Sequence, residues 1–210
     1  MPEFSSLLAF GLISLGMALT PGPNMVYLIS RSICQGRMAG LVSLGGVALG
    51  FAFYLLCTAL GITVLVMAVP YAYDALRFGG ALYLLYLAWQ AVKPGGRSPF
   101  QVRDLPKDSN RKLFVMGFVT NLFNPKIAVI YISLLPQFIR LDHGNVLTQS
   151  LMLGFTQIII SLSVNALIAI MAGTIAAFFT GRPVWLRIQR WLMGTVLAGL
   201  AVRMAMEARR

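Results

Sequence analysis

The sequence predicts an all-α membrane protein: six transmembrane helices arranged as two inverted three-helix repeats, with helices 1 and 4 broken. Three observations lead there. Of 210 residues, 58% are hydrophobic and 11% are charged, which is more apolar surface than the core of a soluble domain this size can hold. The charges are bunched, leaving charge-free stretches at 4–30, 38–73, 78–92, 113–125, 127–139 and 144–181. The basic residues collect in alternate connections between those stretches. A helix needs about 20 residues to cross a hydrocarbon core of roughly 30 Å, so each stretch, with 113–139 taken as one, is long enough for a span or close to it.

Helix 1 is expected near 5–30. The N-terminus lacks a basic n-region and its apolar run exceeds a signal h-region, so helix 1 is expected to stay in the membrane. Thr20-Pro21-Gly22-Pro23-Asn24 interrupts it, because two prolines remove two backbone donors and Gly22 adds freedom. Thr20 is expected to N-cap a new half-helix with Pro21 or Pro23 in its first turn. Helix 2 is expected near 39–68. Gly36 with Gly40 and Gly46 with Gly50 put small residues on one face, for internal packing or a homodimer seam. Helix 3, near 71–92, closes a first half at 1–92.

Residues 93–112 form a polar connector in which Pro94, Pro99 and Pro106 break any helix. It reads as a solvated cytoplasmic linker held by anionic membrane lipid. The second half is 113–210. Helix 4 is expected near 113–139, with Thr120 and Asn121 ahead of a break at Asn124-Pro125. There Asn124 caps a new half-helix, and Lys126 is the one ionisable residue in the run. Helix 5, near 146–179, is locally polar at Gln157, Ser161, Ser163 and Asn165. These read as second-tier cavity residues or ordinary interhelical hydrogen bonds. Helix 6 is expected near 184–206. It has only twelve uncharged residues between Arg190 and Arg203, so its arginines must snorkel toward the interfaces.

The net charge is +11, but its placement excludes nucleic acid as the partner, since no soluble domain or interleaved aromatics accompany it. Three alternate loops hold eleven of the seventeen basic residues. The positive-inside rule places those loops in the cytoplasm and both termini outside. Cys34 and Cys57 are expected to stay unpaired. No His/Cys/Asp/Glu cluster has metal-ligand spacing and no Walker loop occurs, so neither a metal, another cofactor nor direct ATP use is expected. His143 lies with Arg140 and Asp142 in a short outward loop. Tyr54, Tyr83, Tyr86 and Tyr131 lie deeper and are open candidates for a cavity wall.

Three helices per half is an odd number, so the second half inserts upside down. Transporters built this way place a site between two rocking halves. Both new half-helix N-termini then lie near mid-depth, carrying partial positive charge and free N–H groups that suit a carboxylate. Lys126 adds a full charge, and Thr20, Asn24, Thr120 and Asn121 add neutral donors and acceptors. A charge near mid-membrane costs about 2.5–3.5 kcal/mol on insertion scales, which marks Lys126 as a functional residue.

These residues also carry a family resemblance. The run Ala-Leu-Thr-Pro-Gly-Pro-Asn-Met at 18–25, with Gly36-Arg37-Met38-Ala39-Gly40, resembles the amino-terminal signature of the lysine exporter family (LysE/RhtB type). Gly117-Phe118, Asn121-Leu122-Phe123-Asn124-Pro125-Lys126 and Leu135-Pro136-Gln137-Phe138 match its later motif, and the likeness covers nearly the whole chain. The resemblance implies a bacterial inner-membrane exporter of amino acids or close derivatives, driven by the proton gradient, and not an enzyme. All six acidic residues (Glu3, Asp74, Asp104, Asp108, Asp142, Glu207) fall at helix ends or in loops, so Lys126 is itself the candidate titrating group. Other readings stay open from the residues alone. One is export of cations or another small solute, against which Lys126 argues. Another is an intramembrane lipid-handling or scaffold protein.

Overall fold

The computed structural model describes residues 2–20, 22–62, a scatter of positions between 78 and 93, 107–140, 144–179 and 182–206. Among the described residues the chain is all helical, in seven α-helices with two π turns and one 3-10 turn. Two helical stretches, Arg37–Leu60 and Val146–Ile175, are long and apolar enough to cross a membrane, with mean hydropathy 2.0 and 2.2. Two further spans follow if each of two bent helix pairs is counted as one.

The first bent pair is α1 (Phe4–Leu19) with α2 (Pro23–Gln35), meeting at 50°. Pro21 lies outside the described residues, but its effect on its neighbour is visible. A residue before proline is pushed out of the helical region, and Thr20 is extended at φ −75°, ψ 131°. Thr20 therefore ends α1 and does not start α2 as expected: its N–H and Oγ both donate to the Gly16 carbonyl. Gly22 takes the N-cap position and Pro23 the first turn of α2. The first span runs on past 30 to Gln35, because Gly36 stops it, with φ +90°. Gly36 is thus a helix stop and not part of a packing face.

α3 (Arg37–Cys57) continues into a π turn at Thr58–Ile62. The remainder of the expected helix 2 lies outside the described residues, and only parts of the expected helix 3 are described. Ser109 caps α4 (Asn110–Leu122) by accepting from the Lys112 N–H at 3.4 Å. The second bent pair turns by 55° after α4. Asn124 Oδ1 accepts from the Lys126 N–H at 3.1 Å and starts α5 (Pro125–Ala128), as a capping asparagine should. The span continues as a π turn, Val129–Leu134, then a 3-10 turn, Leu135–Phe138, where Pro136 offers no N–H to an α ladder. α6 (Val146–Phe179) and α7 (Pro183–Met206) match the predicted helices 5 and 6 closely.

α3 and α4 cross at glycine. A Cβ on Gly46 would lie 1.9 Å from the Phe114 carbonyl oxygen, and one on Gly117 would lie 2.1 Å from that of Ser43. Gly50 faces Asn121 in the same way, and Gly40 faces Ser32 and Ala169. The small-residue face of α3 is therefore used inside the protein. The core lies between these helices and α1, around Phe10, Met17, Phe51, Tyr131, Leu135 and Leu153. Phe10 packs on Phe138 at 5.2 Å between ring centroids, joining the start of the first bent pair to the end of the second. Cys34 and Cys57 form no disulfide.

The described end of the expected linker, from residue 107, is less solvated than its composition implies. The Asp108 side chain is only 5% exposed and is bound by Arg31 and, at 2.5 Å, by Lys112. Its backbone N–H donates to Gln35 Oε1 at 2.8 Å. The Lys112 hydrogen bond, with the Arg31 charge, holds the Asp108 carboxyl below the usual carboxylate range, outweighing the opposite push of burial. A lowered folded value means the network stabilises the fold above the unfolded titration at about pH 4. That contribution is lost as pH falls through the folded value. Asp108→Asn should therefore melt below wild type at neutral pH and show a shallower acid limb; an acid limb identical to wild type would refute this.

Candidate functional site

The two breaks meet through Lys126. Its ammonium is carried by α5 and crosses to the end of α1, where Nζ donates to the Met17 carbonyl at 2.8 Å and to the Thr20 carbonyl at 2.7 Å. Those carbonyls belong to the end of α1, where the chain leaves the helix at Thr20; Met17 also accepts from the Thr20 N–H at 3.2 Å, which still leaves a lone pair for the ammonium. Charge-assisted bonds of this kind offset part of the cost of burying the ammonium. The side chain is 5% exposed. The ammonium therefore does not stand free before two positive helix ends, as the sequence suggested. It sits against the negative end of α1 and close to Gly22, where an added Cβ would lie 3.0 Å from both Cε and Nζ.

An ammonium has three donors, and two are used on carbonyls. Beside it opens a narrow cleft lined by Met17, Ala18, Asn24, Met25, Phe51 and Lys126, with Ile127, Ile130, Ser161 and Asn165 completing the wall. In this conformation it holds little more than a water molecule. Its polar groups are not satisfied. Asn24 Oδ1 and Nδ2 and Asn165 Oδ1 are buried and have no hydrogen-bond partner among the described residues. Each such group costs about 1–3 kcal/mol, so the cleft holds several polar groups that a ligand or water can satisfy. Among the described residues no carboxylate lines it.

Behind the cleft runs a chain of side-chain bonds. Asn165 Nδ2 donates to the Ser161 carbonyl, Gln157 Nε2 donates to Ser161 Oγ, and Tyr131 Oη donates to Gln157 Oε1. Tyr131 stacks on Tyr54, with centroids 5.6 Å apart and planes 25° apart. Tyr54 Oη in turn donates to the Leu122 carbonyl at 2.8 Å. Each break thus has its last free carbonyls taken by a side chain from elsewhere in the fold: Lys126 at the first, Tyr54 at the second.

The sequence-predicted residues divide accordingly. Asn24, Lys126, Ser161 and Asn165 line the cleft, and Gly22 stands against Lys126. Thr20 contributes only its carbonyl to the ammonium, and Gln157 stands one bond behind. Asn121 and Asn124 are fully buried at the second break, with both polar atoms of the Asn121 amide unpartnered among the described residues. Pro125 opens α5. Pro23 is exposed, Thr120 is half-buried away from the cleft, and Ser163 faces outward. Tyr86 is exposed and is not part of the cleft wall; Tyr83, Pro21 and His143 lie outside the described residues. Sequence reasoning missed the apolar wall of Met17, Met25, Phe51 and Ile130. Each looks like any other apolar residue of a span, and only the crossing angles select them.

The chain is 30% identical over 174 residues to the homoserine/homoserine lactone efflux protein of Salmonella typhimurium, covering 82% of this chain and 83% of that one. It is 25% identical over 199 residues to the leucine efflux protein of an Enterobacter species, covering 90% of each. It is 28% identical over 158 residues to the uncharacterized membrane protein YrhP of Bacillus subtilis, covering 70% and 74%. No solved structure matches the chain significantly. The family model for the LysE type translocator matches residues 15–208, and with nearly the whole chain so accounted for, this multi-pass membrane protein belongs to that family.

Proposed function

We propose that the chain is a secondary exporter of amino acids or small amino-acid derivatives across the bacterial inner membrane, working by alternating access and coupled to protons. Membership of a translocator family makes it a transporter and not an enzyme. One observation supports the substrate class above the others. Among the described residues Lys126 keeps a donor beside the unpartnered Asn24 amide and the unpartnered Asn165 Oδ1, and no carboxylate lines the cleft. A carboxylate suits the ammonium and the Asn24 amide N–H groups. An amine suits the Asn165 oxygen and Ser161, and a neutral side chain suits the apolar wall. The efflux functions named for two of the relatives agree with this.

The architecture proposed is six spans in two inverted halves, 1–92 and 113–210, joined by the linker 93–112. The two bends, 50° and 55°, lie at corresponding places in the two halves, which supports the repeat. The water-sized cleft is an occluded form that must open to admit an amino acid. Basic loops on one side favour termini facing outward, and homodimer formation and lipid contacts to the linker belong to the same reading. Lys126 is the proposed proton carrier, gaining its proton as the carboxylate binds and losing it as the solute leaves.

Liposomes loaded with labelled leucine or homoserine and reconstituted with the full chain test this. Expected is efflux that rises with an imposed pH gradient, leaves the amino acid chemically unchanged and is competed by other neutral amino acids. Flux of metal cations without amino-acid flux would replace the reading with its rival.

A further inference from the structure

The two broken spans carry one acid at their start and one base at their end. Glu3 directly precedes α1 and Arg31 lies near the end of α2; Asp108 precedes α4 by two residues and Arg140 follows the 3-10 turn by two. The pairing is crosswise. Glu3 binds Arg140, and Arg31 binds Asp108. Glu3, ahead of the first bent span, thus holds the base that follows the second, and Asp108, in the linker ahead of the second, holds the base of the first, one pair at each end of the bundle. The Lys126 cleft lies at the breaks between them. The geometry points to these reciprocal ion pairs as the two gates of one pathway, each locking the halves together at its own face and opening in turn. This rests on the alternating-access reading of the site.

The gates are unequal. At the Arg31 end, the proposed cytoplasmic face, Asp108 is nearly buried and is bound by Lys112 and Gln35 besides Arg31. Below it Tyr27 Oη donates to the Leu113 carbonyl at 2.8 Å and accepts from Ser43 Oγ at 3.2 Å. The guanidinium of Arg31 also stands 5.5 Å from the centroid of the Tyr27 ring. At the other end Glu3 and Arg140 are 41% and 39% exposed, so solvent screens their attraction. Behind Arg140, Gln149 takes up both its N–H and its carbonyl, at 3.0 and 2.8 Å, which anchors the loop but not the pair. The Arg31 end is therefore the more firmly shut, and the solvent-exposed Glu3 end is the easier to open.

The test uses the full chain in liposomes with Cys34→Ser and Cys57→Ser, and a cysteine reporter in the cleft introduced by Ala18→Cys. A membrane-impermeant thiol reagent is applied to one face at a time, without substrate or gradient. Asp108→Asn is expected to speed labelling from the Arg31 face roughly tenfold, as loss of a desolvated charged partner shifts the closed–open balance. Labelling from the opposite face should not rise. Glu3→Gln should show the reverse, with a smaller change. Should Asp108→Asn fail to fold, Arg31→Gln is read in its place. The charge exchange of Glu3→Arg with Arg140→Glu must bring labelling back to the wild-type rate. Labelling that rises on the same face for both neutralisations, or on neither, overturns the proposal. Because no flux is measured, the gates can fail while export stands: Lys126-dependent efflux with labelling indifferent to these residues would remove the gates alone.

Discussion

Lys126→Ala is expected to insert and fold while losing transport. Insertion should improve, since removing the charge relieves about 2.5–3.5 kcal/mol at a membrane-deep position. The carbonyls of Met17 and Thr20 lose their donor, but they lie beside the cleft, where water can replace it. Substrate binding loses a hydrogen bond to a charged group, worth about 1.5–3 kcal/mol, so flux should fall about tenfold to a hundredfold or more. Lys126→Arg keeps the charge but gives up a group that can release a proton. It should keep some binding and lose the pH dependence of flux. Reconstituted efflux measured across pH for wild type and both variants checks this. A Lys126→Ala protein that transports normally would leave the ammonium a structural cap on α1.

Gly46→Leu carries the largest expected cost in stability. The Cβ would meet the Phe114 carbonyl at 1.9 Å, and the groups in the way on α4 are backbone that cannot rotate aside. Overpacking costs about 1–3 kcal/mol where side chains can give, so this site should lie at the top of that range or beyond. For a chain of this length the melting temperature in detergent should fall by roughly 6–12 °C. Gly173→Leu is the control, because nothing lies within 4 Å of an added Cβ there. Equal melting of the two variants would mean that α3 and α4 do not approach as closely as Gly46 and Gly117 indicate.

The helices and their breaks were legible because the determinants are local. Proline removes a donor wherever it stands, so Pro23 and Pro125 each begin a new helix and Pro136 tightens a turn. The Asn124 cap needs only the next two residues. The end of the first span was misplaced because Arg31 looked like a boundary. The helix continues because that charge is bound to Asp108, 77 residues away in sequence. For the same reason Asp108 read as a solvated linker residue when it is nearly buried. Lys126 stood out as a candidate from its cost alone, but the direction of its ammonium depends on α1 and α5 meeting across more than a hundred residues. Thr20 shows the opposite limit: its identity allowed either cap, and the proline after it decided.

In the proposed transport cycle the Lys126 ammonium, held at the broken end of α1, receives the acid group of the transported solute. Nitrogen-15 NMR of the lysine-labelled full chain in lipid nanodiscs reads that group directly, with Lys126→Arg assigning the signal. The Lys126 resonance is expected to move on adding leucine or homoserine and to stay put with the matching amine that lacks a carboxylate. A resonance unmoved by saturating concentrations of an amino acid that the same protein demonstrably exports would contradict it.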